Sequence, residues 1–290
     1  MPFLPLPEAI AQHVRDGQTV ALEGFTHAIP FAAGHEIIRQ QRRDLHLVRM
    51  TPDIIYDQMI GAGCARAITF SWAGNPGVGS LHRFRDAVEN GWPNAIAVTE
   101  HSHAGMAAAY TAGASNLPFG MLKGYAGTDL VRVNPDIRSV KCPYTAEELA
   151  TVPAMRPDVT VLHAQMADAR GNVLLRGIVG AQREAAMAAR VLIVTVEEIV
   201  DELRAPMNAV VLPHWIVTAV AHVPLGAYPS YVQGYYERDN TFYLAWDGIA
   251  RDRASFGTWV ERYIRGVATH AECLRALGAV HADPSAQARA

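Results

Sequence analysis

Four short stretches carry residues that could hold or act on a small oxygen-bearing ligand, and each directly follows an apolar run. The first is Glu23-Gly24-Phe25-Thr26-His27, where a glycine beside an aromatic ring lets backbone amides come close to a ligand. The second, Met50-Thr51-Pro52-Asp53, opens a helix. The third is Ser71 with the loop Gly74-Asn75-Pro76-Gly77-Val78-Gly79-Ser80. The fourth, Glu100-His101-Ser102-His103, sets an acid and two imidazoles at one junction.

The third stretch invites a phosphate-binding reading, which its spacing refuses. A P-loop would place a lysine between the last glycine and the hydroxyl residue, and here Ser80 follows Gly79 directly. A dinucleotide fingerprint would need a glycine at the position of His82. Leu81, Phe84 and Val88 recur at helical spacing, so the loop opens a helix whose free amides could face an anion or a carbonyl. The plainer reading, that Asn75-Pro76-Gly77 only turns the chain, stands beside it.

In the fourth stretch His101 and His103 lie two apart and cannot share a helix face as the histidines of HExxH do. No metal site is expected. Ser102 can cap a helix and His103 can hydrogen-bond. Glu100 could serve as acid or base if burial raised its pKa, or could be a solvated carboxylate. The nucleophile elbow GxSxG is absent, which disfavours a serine hydrolase.

The elements that must position these residues alternate. Helices are expected over residues 7–16, 33–43, 53–59 and 102–111, and strands over 18–23, 45–50, 67–72, 95–99, 159–163 and 191–196. Short, β-branched-rich apolar runs of this kind are the buried strands of a parallel sheet. The fold class is α/β, an open, largely parallel sheet flanked by helices, and its ligands should bind beyond the carboxyl ends of the strands. Residues 124–157 read as an irregular excursion at the sheet's edge, and 240–276 as two or three packing helices. One domain over 1–280 is expected, with a frayed tail over 281–290.

Composition narrows the function. With 25 basic and 28 acidic residues the net charge is −3, which leaves no basic surface suited to nucleic acid. Three scattered cysteines without CxxC spacing indicate neither a disulfide framework nor a zinc site, and a reducing cytoplasm suits them. No signal-peptide pattern or long apolar run is present, so membrane attachment is not expected.

The order of segments then matches a known family. The segments are VALEGFTHAIPFAAGHEIIRQ, LVRMTPDIIYDQMIGAGCARAITFSWAGNPGVGSLHRFRDAVE, EHSHA, LPF, VLHAQMADARGNV and VTVEEIV, and together they resemble the alpha (A) subunits of class I CoA-transferases over nearly the whole chain. The likeness is greatest to the branch that moves CoA from succinyl-CoA to 3-oxoadipate. It implies a two-subunit enzyme, commonly α2β2, whose nucleophilic glutamate lies on the beta subunit. There it forms first an acyl-glutamyl anhydride and then a glutamyl thioester. This chain would hold no catalytic nucleophile and no bound cofactor, the CoA thioester being substrate. Gly24, Phe25 and Thr26 would floor the cleft, Ser71, Gly74, Asn75 and Gly77 would meet the acid substrate, and Glu100 and His103 would stand at the rim. Two departures are visible. Many relatives have a glycine where Glu23 stands, and the 3-ketoacid branch carries a glutamine where His103 aligns. A glutaconate-type transferase or a two-subunit CoA-thioester ring hydrolase is the alternative, and a small-molecule sensor a more distant one.

Overall fold

The computed structural model describes residues 3–76 and 78–279. The expected tail, and Gly77, lie outside these. After α1 (Leu6–His13) the chain alternates through β1 (Thr19–Glu23), α2 (Phe31–Arg39), β2 (Leu45–Val48), α3 (Ile54–Gly61), β3 (Ala65–Phe70), α4 (His82–Asn90), β4 (Ala97–Glu100) and α5 (His103–Ala114). Strands β1 to β4 pair in parallel in that order. The chain then crosses to the other side of β1, where β8 (Val159–Asp168) lies parallel to it. Beyond β8 come β10 (Val191–Val200) and β12 (Ala219–His222), both parallel. Short antiparallel strands β9 (Val173–Leu175) and β11 (Val210–Leu212) complete nine. Strand order reverses between β1 and β8, and that is where an open α/β sheet forms its binding crevice.

Side chains that alternate along β1 explain the layers. Val20 and Leu22 join the core beneath α1 to α3, α8 (Asn240–Arg251) and α9 (Arg253–Val260), which centres on Ile37, Ile55, Tyr56, Trp246 and Phe256. Ala21 joins the opposite core, beneath α5 and α7 (Gln182–Ala188), with Met106, Tyr110 and Ala185. Each large side chain buried this way contributes about 1.5–3 kcal/mol. Trp246 is fully buried, and its indole N–H donates to the Asp57 carboxylate at 3.0 Å, which ties α8 to α3. Side chains cap the helices where the sequence suggested. Asp53 accepts from the Ile55 amide and Ser102 from the Gly105 amide at 3.0 Å. Over 240–276 the expected helices are α8, α9, a π turn at Glu261–Arg265 and α10 (His270–Leu277).

Two expectations need correction. Residues 124–157 are not irregular. They hold α6 (Leu130–Val133), β6 (Arg138–Lys141) and β7 (Glu148–Pro153), and with β5 (Phe119–Leu122) they form an antiparallel three-stranded sheet. Its strands are half exposed, so their polar residues broke the apolar signal. Strands β8 and β10 each run ten residues, well past the expected ends at 163 and 196. Among the described residues no helix is long and apolar enough to cross a membrane.

Candidate active site

The loop after β1 is wound tightly on itself. A Cβ on Gly24 would lie 2.8 Å from the Ala28 carbonyl oxygen, 2.9 Å from that of His27 and 2.9 Å from the Ile29 Cα, so no other residue fits there without opening the loop. The backbone changes sign along it, with φ of 65° at Thr26 and 50° at Ala28. Alternation of this kind turns successive amides toward one concave side, which suits an anion or a carbonyl oxygen. The Ala28 amide donates to the Tyr231 carbonyl at 2.9 Å. Among the described residues the amides of Phe25, Thr26 and His27 donate to no acceptor. Thr26 is exposed, and its hydroxyl lies 3.3 Å from that of Tyr231.

Beneath this loop is a buried polar network that holds its shape. Arg49 donates to Asp53 at 2.8 Å and to the Gly24 carbonyl at 2.7 Å, which fixes the peptide leading into Phe25. The Glu23 carboxylate accepts from the Met50 amide at 2.9 Å and from the Tyr110 hydroxyl at 2.8 Å. Tyr56 donates to the Val48 carbonyl and accepts from the Leu22 amide. Burial pushes the Glu23 carboxyl above its ordinary value, against the pull of Arg49. Burial likewise raises Asp53. None of these residues drew notice as a group in the sequence, although a glutamate and an arginine ending apolar strands were the available signal.

Phe25 is the meeting point of the walls. Its ring meets that of His103 edge-on at 6.2 Å, and a Cβ on Gly180 would come 2.6 Å from the Phe25 Cβ. Gly24, Phe25, Thr26 and His103 are therefore one cluster, joined by the 176–180 loop that sequence reasoning overlooked. His103 is exposed at the start of α5, and the Glu100 side chain is exposed at the end of β4, an edge strand of the sheet.

The loop after β3 spends its polar groups differently. Ser71 donates from its hydroxyl to the Met50 carbonyl at 2.6 Å, so it reaches the Glu23 network through Met50. The Gly74 amide donates to the Pro52 carbonyl at 3.1 Å. Asn75, expected to meet the substrate, is buried, and its side-chain amide donates to the Tyr243 carbonyl at 2.8 Å. Burial against α8 turns that side chain into the protein. A separate cavity of about 730 Å³ opens by the small sheet, lined by Lys123, Tyr125, Arg132 and Arg138. Its lining residue Tyr125 accepts from the Ser102 amide at 2.9 Å, just past the end of β4. Among the described residues no group of three or more His, Cys, Asp or Glu side chains could hold a metal ion.

An open, largely parallel sheet with a constricted, amide-rich loop at its strand-order reversal is the α/β architecture whose ligand crevice lies beyond the strand ends. The coenzyme A transferase family model matches residues 5–222. The chain is 66% identical over 270 residues to the A subunit of 3-oxoadipate CoA-transferase from Pseudomonas knackmussii, covering 93% of this chain and 96% of that one. Its fold matches glutaconate coenzyme A-transferase from Acidaminococcus fermentans with a TM-score of 0.89 at 30% identity, over 97% of this chain and 94% of that one. It matches the decarboxylase AibA/AibB with a TM-score of 0.77 at 29% identity, over 90% and 98%. The chain belongs to the coenzyme A transferase family, as an A-type subunit of its class I branch.

Proposed function

We propose that this chain is the A subunit of a two-subunit enzyme that moves CoA from succinyl-CoA to 3-oxoadipate. The observation that carries this reading is the 66% identity, over almost the full length of both chains, to a subunit of that name. A beta subunit supplies the nucleophilic glutamate, in an α2β2 assembly, and the free cysteines suit a cytoplasmic enzyme. In this reading residues 1–280 form one domain.

The chemistry asked of this chain is then electrostatic. When the partner's carboxylate attacks the thioester carbonyl, negative charge grows on the carbonyl oxygen. The unpaired amides of Phe25, Thr26 and His27 are donors that need no reorganisation to receive it. Removing one such donor from an oxyanion site typically costs ~10²–10³ in kcat. The buried Arg49 network keeps the loop rigid, Gly24 permits its winding, and Phe25 with His103 and Gly180 shapes the wall. Ser71 and Gly74 brace the floor, and Glu100 stands on the rim. In a test, the chain is purified alone and with its partner, then assayed for CoA exchange from succinyl-CoA to 3-oxoadipate and to glutaconate. The expected result is exchange to 3-oxoadipate by the complex only. Preference for glutaconate would replace the substrate assignment, and activity of the chain alone would overturn the division of labour.

A further inference from the structure

Beside the amide-rich loop a second set of polar groups converges without partners. His27 is 1% exposed, and neither ring nitrogen has a partner in full hydrogen-bond geometry, the Ile178 backbone lying near the ring without meeting it squarely. Its ring stacks on Tyr231 at 5.1 Å. Gly177, at φ +100°, packs closely against it. A Cβ there would lie 2.9 Å from His27 Nε2 and would clash with Gln233 Oε1. Gly234, at φ +86°, packs in the same way against the Arg176 guanidinium. Arg176 makes no ion pair among the described residues, and its Nε is buried without a partner. Gln165, buried within β8, clamps this corner. It accepts from the Arg176 amide at 3.0 Å and donates to the Arg176 carbonyl at 2.9 Å.

Two carboxylates of β10 that reach the 225–236 segment have partners of their own. Glu197 accepts from Tyr236 at 2.7 Å and from the Leu225 amide, and its other contact is His163 at 2.6 Å. Glu198 accepts from Tyr235 at 3.0 Å. What is left over is one guanidinium, one imidazole and one carboxamide gathered at two close-packed glycines, with Gly177, Gln233 and Gly234 at the surface. A planar guanidinium with a free fork is the side chain best matched to a carboxylate.

We infer that Arg176, with His27 and Gln233, binds the far carboxylate of a dicarboxylic acyl acceptor while its reacting carboxylate lies at the adjacent amides of the loop after β1. Burial holds the His27 imidazole below its usual pKa, against the pull of the Ile178 backbone, so at neutral pH it offers one N–H. The inference rests on the proposed acceptor, and it adds which residues choose a diacid over a monoacid.

The assay uses the complex of this chain with its partner and compares 3-oxoadipate with 3-oxohexanoate, which differs by lacking the second carboxylate. Transfer to 3-oxoadipate by the unaltered complex comes first, and its absence would count against the proposed function alone. Given that activity, Arg176→Met should raise KM for 3-oxoadipate on the order of 30-fold, the loss expected for hydrogen bonds to a charged group. The kcat should stay within about twofold, and 3-oxohexanoate kinetics should not change. Arg176→Lys should fall between. If the Met variant does not assemble, Arg176→Lys and His27→Gln are read the same way. Equal effects on both acids, or no effect on either, would overturn the inference.

Discussion

Two glycine-bearing loops leave β1 and β3, strands of the same sheet with β2 between them, and they have opposite fates. The loop after β1 has three amides with no acceptor among the described residues. In the loop after β3, the Gly74 amide, the Ser71 hydroxyl and the Asn75 side-chain amide all donate to backbone carbonyls of this chain. The difference teaches that a glycine-rich loop at a strand end is not by itself a binding site. What matters is whether its donors remain free once the chain has folded, because a buried donor left without an acceptor costs about 1–3 kcal/mol.

The sharpest way to break this contrast is Gly24→Ala. A methyl group there meets two carbonyl oxygens and a Cα, so the loop must unwind and the three amides disperse. Transferase activity of the complex should fall by more than ~10², the scale of losing preorganised oxyanion donors. Near-normal turnover would show that the winding is not needed. Asn75→Ala should behave in the other sense. Losing the bond to the Tyr243 carbonyl in a buried setting should lower stability by about 1–3 kcal/mol in chemical denaturation, while the kcat/KM of the folded enzyme stays within about twofold. A large kinetic defect with unchanged stability would return Asn75 to the substrate's side.

A third test separates packing from the cleft by pH. His35 and His270 are buried with their rings 6.4 Å apart. Burial, with the neighbouring charge, pushes His35 down to about 3, and burial pushes His270 down to about 4. Both folded values lie below the ordinary 6.5, so the folded state resists protonation. The stability they permit is present above about pH 6.5 and is lost as pH falls toward about 4. The urea midpoint should drop between about pH 7 and about pH 5, and His270→Gln should shrink that drop. An unchanged drop would remove the pair as its source. The smallest effect is expected for Ser71→Ala, about 1 kcal/mol or less from one hydrogen bond, seen as a minor shift in melting temperature.

Strand existence was legible because continuous apolar runs such as those of β1, β3 and β10 fit little else than a buried strand at that length. Strand length was not. In β8 and β10 the polar residues His163, Gln165, Thr195 and Glu197 interrupt the apolar signal. The structure buries them by pairing His163 with Thr195 at 2.8 Å and Glu197 with groups some 28 to 39 residues away. Such satisfaction is tertiary and leaves no local trace. In the candidate site, Gly24 beside Phe25 was visible as a close-approach pattern, and the Ser102 cap as a junction. The Arg176-Gly177 and Gln233-Gly234 pairs were not, since their meaning lies in meeting His27 across more than a hundred residues of chain.

The account holds that this polypeptide receives charge and that its companion forms the covalent bond. Incubating the complex with succinyl-CoA, reducing with borohydride and mapping peptides by mass spectrometry tests this directly, because the reductant converts a glutamyl thioester into a stable alcohol. The predicted result is one modified glutamate on the companion polypeptide and none on this chain. A modified carboxyl side chain on this polypeptide would contradict it.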